Sequence, residues 1–492
     1  MRLGIDFGTT RTVVAVADRG NFPVIGFETA NGDIVEHFPS VVATDGEELR
    51  FGHAAVAVLN EPGWTALRSF KRLLARPGQR NIVQIGALEM SLGQLLADFL
   101  RALKLAIVTS SNSPVPLTDD EPLDAVIAVP ARASSAQRFL TIEAFREAGF
   151  TVVGVVNEPS AAGIEYANRY AKTFSSARQH VLVYDLGGGT FDLSLVEMTN
   201  GRHSVLAHAG LNDLGGDDFD AALLHLVAPH APFSTQALEV CRAAKEALTP
   251  NSRKLVVELA DGVHSVSVDA YYEALKPLLD RSLALLATVL PDEAVAAGVA
   301  GVYVVGGGSD LPIVARTLRD TFGRRVKSSP YSSGAIAVGL AIAAADQAPT
   351  LQDKLSRTFG VFRERGAGSD VTFDAILNPQ TTTVDGKAVL VRRYRPVHNL
   401  GHFRFAECDT VTATGVPNGD IVPLAPLIVA FDPTLRGAKD LSEVPVQRLS
   451  RRLPVIEERY HVEDAGIRVV ITDLESGWSH EHRISAAVNA NA

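Results

Sequence analysis

The chain holds 492 residues, 46% of them hydrophobic and 21% charged, at a net charge of −10. That length exceeds what one simple core serves, so two or more domains are expected, and the negative balance argues against a general role on nucleic acid or a membrane surface. Only two cysteines occur, Cys241 and Cys408, which excludes a disulfide framework; Met1 runs straight into a strand and no apolar run is long enough to span a bilayer, so a soluble cytoplasmic protein is expected.

Apolar or alternating runs at 2–6, 12–18, 24–28 and 37–44 read as strands. Over 64–75, Leu67, Phe70, Lys71 and Leu74 fall at helical spacing, which predicts a helix with Lys71 on or beside it. Ser91 and Gln94 form a capping box ahead of the apolar stripe Leu96, Phe99, Leu100 and Leu103. After a Ser/Pro/Asp loop at 112–122, the run 125–129 suits a buried central strand. A helix stopping at Gly149, a strand at 152–156 and a helix at 158–170 follow.

At 180 the pattern restarts with strands, a glycine loop and helices. Strands are expected at 254–260, 302–305 and 324–327, and helices at 236–248, 270–290, 312–322 and 334–345. A short junction with one proline ends this part. Beyond it come short strands at 356–363, 371–376, 388–395, 402–408, 426–431, 457–462, 467–472 and 480–484, with hairpin turns at 464–466 and at Ser476-Gly477. The expected domains are an α/β part at 1–346, a linker at 347–357 and an all-β part at 358–492.

Two loops carry the chemistry. Asp6-Phe7-Gly8-Thr9-Thr10 and Asp185-Leu186-Gly187-Gly188-Gly189-Thr190 each read as strand, tight turn, strand, about 180 residues apart. Glycines let backbone N–H groups converge on an anion, threonine hydroxyls add donors, and the aspartates can hold a hydrated Mg²⁺. Two related α/β lobes would clamp a nucleotide's phosphates in the cleft between them.

Further motifs occur in order: Phe70-Lys71-Arg72-Leu73, Val129-Pro130-Ala131, Gln137-Arg138, Asn157-Glu158-Pro159-Ser160-Ala161-Ala162, Asp185 through Asp192, Leu214-Gly215-Gly216-Asp217-Asp218-Phe219-Asp220 and Gly306-Gly307-Gly308. With the first loop they make the chain resemble the 70-kilodalton heat-shock chaperone family over about residues 1–346. The resemblance implies an α/β actin-like ATPase domain of two ribonuclease-H-like lobes, followed by a small all-β sandwich that binds peptide. The tail is similar to that sandwich through Pro454-Val455-Ile456-Glu457 and Tyr460-His461-Val462-Glu463-Asp464-Ala465-Gly466-Ile467, with 431–453 as an insertion.

The resemblance further implies ATP/ADP and Mg²⁺ as cofactors, a weak ATPase, and a role in protein folding and the stress response. Lys71 would meet the γ-phosphate and orient the attacking water, where a cation suits charge stabilisation. Asp6 and Asp185 would hold Mg²⁺ through water, joined by Glu158. Thr190 and Asp192 would position the attacking water, with Asp192 taking its proton. Gly8, Thr9, Thr10, Arg11, Gly187, Gly188, Gly189, Gly216, Lys245, Thr249, Gly307 and Gly308 would line the nucleotide. Pro130 and Arg138 match a proline switch and its arginine partner. Taken singly, Lys71 and Arg138 would be solvated helix residues and Pro130 a strand end.

Departures from the family stand at the base end, the linker and the C-terminus. Arg242 and Glu246 flank Lys245 where Glu and Arg are usual, and Asp310 stands near a usual Arg; carboxylates cannot stack on a base as guanidinium does, so weaker ATP binding or a different packing of the base is expected. The linker offers only Leu351 and Leu355 with Asp353 and Lys354. The sequence ends soon after the last strand, which predicts a lidless site with fast ligand exchange. The expected partners are unfolded peptide or one dedicated client, and a J-domain co-chaperone. The alternative is a nucleotide-dependent regulatory module with vestigial ATPase; sugar kinases and filament-forming actin relatives are disfavoured by the β tail. His480 and His482 on one strand, the run Arg448, Arg451 and Arg452, and the thiol of Cys241 have ordinary structural readings.

Overall fold

Two five-stranded sheets built on one plan carry the first part of the chain. The computed structural model describes residues 1–29, 31–59, 61–75, 82–114, 123–131, 133, 135–199, 202–229, 234–345, 357–365, 370–378, 381, 388–411, 415, 417–424, 427–438, 440–463 and 466–484. In the first sheet Arg2–Phe7 (β1) is central. It pairs antiparallel with Arg11–Val16 (β2), which pairs with Phe38–Pro39 (β3); on its other side it runs parallel to Asp124–Val129 (β4), itself parallel to Thr151–Asn157 (β5). In the second, His180–Leu186 (β6) takes the central place. Phe191–Thr199 (β7) and Arg202–Leu211 (β8) lie antiparallel on one side, Val299–Val305 (β9) and Val326–Ser328 (β10) parallel on the other. Antiparallel neighbours need only tight turns, whereas parallel ones need crossovers. Helix Ser135–Glu147 links β4 to β5, and Pro312–Phe322 links β9 to β10.

The central strands are apolar because both faces are covered; every residue of β9 is buried. Glu158–Tyr170 (α1) and, later, Gly216–Val227 (α2), Thr235–Glu246 (α3) and Ala335–Ala344 (α4) supply helical cover. The Ala-rich α4 is a contact surface: a Cβ on Gly339 would strike the Ala161 carbonyl of α1, and one on Gly4 of β1 would strike the Ala337 carbonyl. Backbones approach that closely only where side chains are missing.

The chain divides into two compact units, one of Met1–Phe70, Ala102–Ala131 and Phe150–Leu351, the other of Lys71–Arg101, Arg132–Gly149 and Gln352–Ala492. The second contains all the tail strands. Thr358–Arg365 (β11), Asp370–Leu377 (β12), Leu400–Val411 (β14), Pro417–Pro423 (β15) and Leu427–Ala430 (β16) form one antiparallel sheet, ordered β12-β11-β14-β15 with β16 also on β14. Ala388–Tyr394 (β13), Ile456–Glu463 (β17), Gly466–Asp473 (β18) and Ser479–Ile484 (β19) form another, in that order. Phe359, Phe403 and Phe405 from the first and Tyr460, Val469 and Ile471 from the second share one core. β18 alternates half-buried and buried along its length, as a strand with one core face must.

The stretch expected as an insertion, 431–453, carries no strand among its described residues and is tied down by side chains. Asn399 donates from Nδ2 to the Pro445 carbonyl at 3.0 Å and accepts at Oδ1 from the Gln447 amide at 2.7 Å. Arg436 reaches Asp473 at 2.7 Å and lies 4.4 Å over the Trp478 ring.

Local readings need correction in three places. Residues 64–75 are not one helix: Thr65–Arg68 is a strand on Val41–Thr44, Ser69 turns the chain at φ 54°, and Lys71 sits on the 3-10 turn Phe70–Ala75. Pairing with a neighbouring strand overrides a short apolar spacing that fits either state. The Ser91/Gln94 capping box forms by half, since the Gln94 amide donates to Ser91 Oγ at 3.1 Å while its side chain turns to Asp98 at 2.9 Å. The helix expected at 270–290 is Val268–Ala284 followed by the separate Leu286–Val289. Strand β15 and the hairpin of Ile82–Ile85 with Leu88–Ser91 carried too little alternation to be read from sequence. The linker residues 347–356, Asp464 and Ala465 of the hairpin turn, and the chain beyond Ile484 lie outside the described residues.

Candidate nucleotide-phosphate site

The glycine loops of the first unit gather at one place. Gly8 donates its N–H to the Asp6 carbonyl at 3.1 Å, and Gly187 to the Thr190 carbonyl at 2.9 Å, so each loop is a closed turn. The loops abut: a Cβ on Gly188 would stand 2.6 Å from Thr10 Oγ1. Gly216 and Asp217 donate their amides to the carbonyls of Gly187 and Gly188 at 3.0 and 2.6 Å, docking the positive N-terminal end of α2 on the second loop. Gly306 adopts φ +85°, which L side chains avoid, and a Cβ there would collide with Asp185 Oδ1. A Cβ on Gly308 would stand 2.8 Å from the Gly187 carbonyl oxygen. The segments around Thr10, Gly187–Gly189, Gly215–Gly216 and Gly306–Gly308 thus meet in close approach, where no side chain would fit.

Two of the expected carboxylates stand near the ends of the central strands. Asp6, the last residue but one of β1, is 8% exposed; Asp185 near the end of β6 lies directly opposite Asp192 on β7. Carboxylate oxygens such as these are the hard donors that a hydrated Mg²⁺ takes, usually one or two of them together with phosphates. Glu158 opens α1, behind the N-cap Asn157 and ahead of Pro159. The Asp192 carboxylate occupies room left by Gly210, whose Cβ would fall 2.7 Å from Asp192 Oδ1. His208 comes to the same oxygen, with Nε2 at 3.4 Å. Sequence reading missed His208, although the β7–β8 register that sets Gly210 opposite Asp192 also brings His208 beside it.

The residues expected at the base end form closed ion pairs. Lys245, 8% exposed, places Nζ 2.7 Å from Asp220 Oδ1 and 2.9 Å from the Gly216 carbonyl oxygen. Arg242 forks to Asp217 at 2.9 Å, Asp220 at 3.3 Å and Glu239 at 3.0 Å. Glu246 takes Arg11 at 2.6 Å, and the Arg11 guanidinium lies beside Gly307. Burial pushes the Asp310 carboxyl up, against a hydrogen bond with Ser332 and the charge of Arg11. The residues that depart from the family are therefore paired within this chain: Arg242 anchors α2, and Glu246 holds the cation that follows Thr10. Thr249 pairs locally with Ser252 at 3.1 Å. The Cys241 thiol is buried and pushed up to about 11 by that burial and by Asp220, which makes it inert at neutral pH.

Lys71 belongs to the second unit. Pro130 directly follows β4 in the first unit, and Arg138 lies on Ser135–Glu147 with its side chain outside the described residues. No described helix is long and apolar enough to cross a membrane.

A family model described as "Hsp70 protein" matches residues 82–356, more than half of the chain. Curated relatives include a chaperone protein HscA homolog of Chromobacterium violaceum, 32% identical over 381 residues, covering 72% of this chain and 59% of the relative. The HscA homolog of Pseudomonas aeruginosa is 31% identical over 373 residues (70% and 57%), and that of Cupriavidus necator 32% over 378 residues (70% and 58%). The chain thus spans under three fifths of the length of these relatives.

Proposed function

The chain belongs to the Hsp70 family, and from that premise we propose that it binds and slowly hydrolyses ATP and couples this to gripping a client with its β-rich part. The observation that carries the reading is the meeting of Gly188 with Thr10, which brings two Asp–Gly–Thr loops on equivalent strands to one point. The matched sheets support two ribonuclease-H-like lobes of the actin-like fold within 1–346, and the shared core of the two tail sheets supports a β-sandwich within 358–492.

Backbone amides and hydroxyls of Gly8, Thr9, Thr10, Gly187, Gly188 and Gly189 would hold the phosphates. Asp6 and Asp185 would hold Mg²⁺ through water, with Glu158 in the same shell; the ion would neutralise charge developing on the phosphates. Thr190 and Asp192 would orient the attacking water, and Asp192 would accept its proton. Gly216, Lys245, Thr249, Gly307, Gly308 and Arg11 would border the nucleoside. The roles of Lys71 at the γ-phosphate, and of Pro130 and Arg138 in relaying nucleotide state, rest on the family resemblance alone. A J-domain co-chaperone, an unfolded-peptide client and a cytoplasmic setting belong to the same proposal.

The test is ATP turnover with and without an unfolded client, in the wild type and in Lys71→Ala. Turnover raised by client and lost in the variant supports the reading; flat turnover independent of the lysine refutes it. A second reading, a nucleotide-dependent binding module for one partner, draws support from the closed ion pairs at the base end, and ATP binding without client-stimulated turnover would favour it.

A further inference from the structure

The proposed water-activating carboxylate has a histidine built against it. β7 and β8 pair so that Asp192 faces Gly210 and Ser194 faces His208. Gly210 lacks the side chain that would fill the space between them: a Cβ there would lie 2.7 Å from Asp192 Oδ1 and 3.5 Å from His208 Nε2. The imidazole, with its side chain only 9% exposed, leans across this gap with Nε2 3.4 Å from Asp192 Oδ1. Its other nitrogen, Nδ1, lies 2.8 Å from the hydroxyl oxygen of the buried Ser194.

That arrangement selects a tautomer. An ionised carboxylate only accepts, so the ring nitrogen beside it is the protonated one; the hydroxyl of Ser194 then donates to Nδ1. Both nitrogens are used, and the ring plane is fixed from behind by a buried side chain. The N···O gap is long for a strong hydrogen bond, as in many resting sites whose bonds tighten around substrate.

We propose that His208 is the positioning residue for Asp192, holding one carboxylate oxygen so that the group meets the attacking water in a single orientation. The inference rests on the reading of Asp192 as proton acceptor given above. It concerns a Ser194–His208–Asp192 line acting through Asp192; His208 does not itself touch nucleotide.

Single-turnover ATP hydrolysis and, separately, equilibrium ATP affinity test it in three variants. His208→Leu fills the space without a donor, and is expected to slow the hydrolytic step about tenfold while affinity stays within about twofold. His208→Gln restores an N–H donor of similar reach, and is expected to recover most of the rate. Ser194→Ala removes the support at Nδ1 and is expected to fall between them. A histidine that merely packs would give the opposite order, with leucine active and glutamine slow, and that result overturns the proposal; so does a leucine variant as fast as the wild type. Retained ATP affinity in each variant reports an intact site. A wild type that neither binds nor hydrolyses ATP overturns the parent reading and this one together, whereas an active wild type with an equally active leucine variant overturns this one alone.

Discussion

Lys245 is expected to hold the first unit together as well as to border nucleotide, and the two roles separate by thermodynamics. Its ammonium is 2.7 Å from Asp220 Oδ1 and 2.9 Å from the Gly216 carbonyl oxygen, and the Asp220 side chain is 1% exposed. Lys245→Met keeps the aliphatic bulk and removes the charge. Breaking one side of a buried pair costs about 3–5 kcal/mol, because the remaining charge has no solvent to turn to. Arg242 still approaches Asp220 at 3.3 Å, so we expect the lower end, about 3 kcal/mol. In an Asp220→Asn background the same change should cost about 1 kcal/mol, the share of the lost hydrogen bond to Gly216. The pH dependence has a defined sign. Burial raises the Asp220 carboxyl, and Lys245 and then Arg242 oppose that rise. Removing Lys245 raises it further, and a buried acid with a raised folded pKa loses stability as pH climbs through that value. The deficit of Lys245→Met should therefore be smaller at pH 5 than at pH 8. Urea unfolding without nucleotide, in the four members of the cycle at both pH values, gives these numbers. A single variant within about 0.5 kcal/mol of the wild type, or equal costs in both backgrounds, would refute the buried pair.

Two further outcomes are expected. Arg11→Ala should weaken ATP about tenfold by calorimetry, since the guanidinium beside Gly307 would be lost while Glu246 and Asp310 remain; unchanged or tighter binding would mean that Arg11 serves Glu246 alone. In the second unit, burial alone would raise Asp473, but hydrogen bonds from Ser476 and Arg436 and from the Glu475 and Ser476 amides bring it down to about 2. A lowered acid gives its stability above the unfolded pKa and loses it as pH falls through the folded one, so about 2 kcal/mol should vanish between about pH 4 and pH 2. Trp478 fluorescence in a Trp64→Phe chain reads this directly, because Arg436 bridges that ring and Asp473; Asp473→Asn should flatten the acid limb, and an unaltered limb would refute the assignment.

How much was legible beforehand depends on whether an interaction is local. The two Asp–Gly–Thr turns, the Asn157 start of α1 and the buried runs of β1, β4 and β6 are written in consecutive residues, and each stands where the sequence placed it. The strand at Thr65–Arg68 was not legible, because its partner is Val41–Thr44 and the apolar spacing alone fits a helix as well. His208 was invisible for a related reason: its meaning comes from the register of β7 against β8, with one glycine leaving the space.

The base end shows the same limit most clearly. Read along the chain, Arg242, Glu246 and Asp310 look like three separate losses from a family pattern. In space, Glu246 binds Arg11 across 235 residues of sequence, Arg242 binds the acids that open and line α2, and Asp310 feels Arg11 as a stabilising charge. The carboxylate of Glu246 on α3 is matched by the cation that directly follows Thr10, so a positive group stands beside Gly307. Lys245, which matches the lysine that the resemblance places on α3, is enclosed by Asp220 and Gly216. Without its charge the Gly216 carbonyl would lose its donor and the Asp220 carboxylate would be left with Arg242 alone.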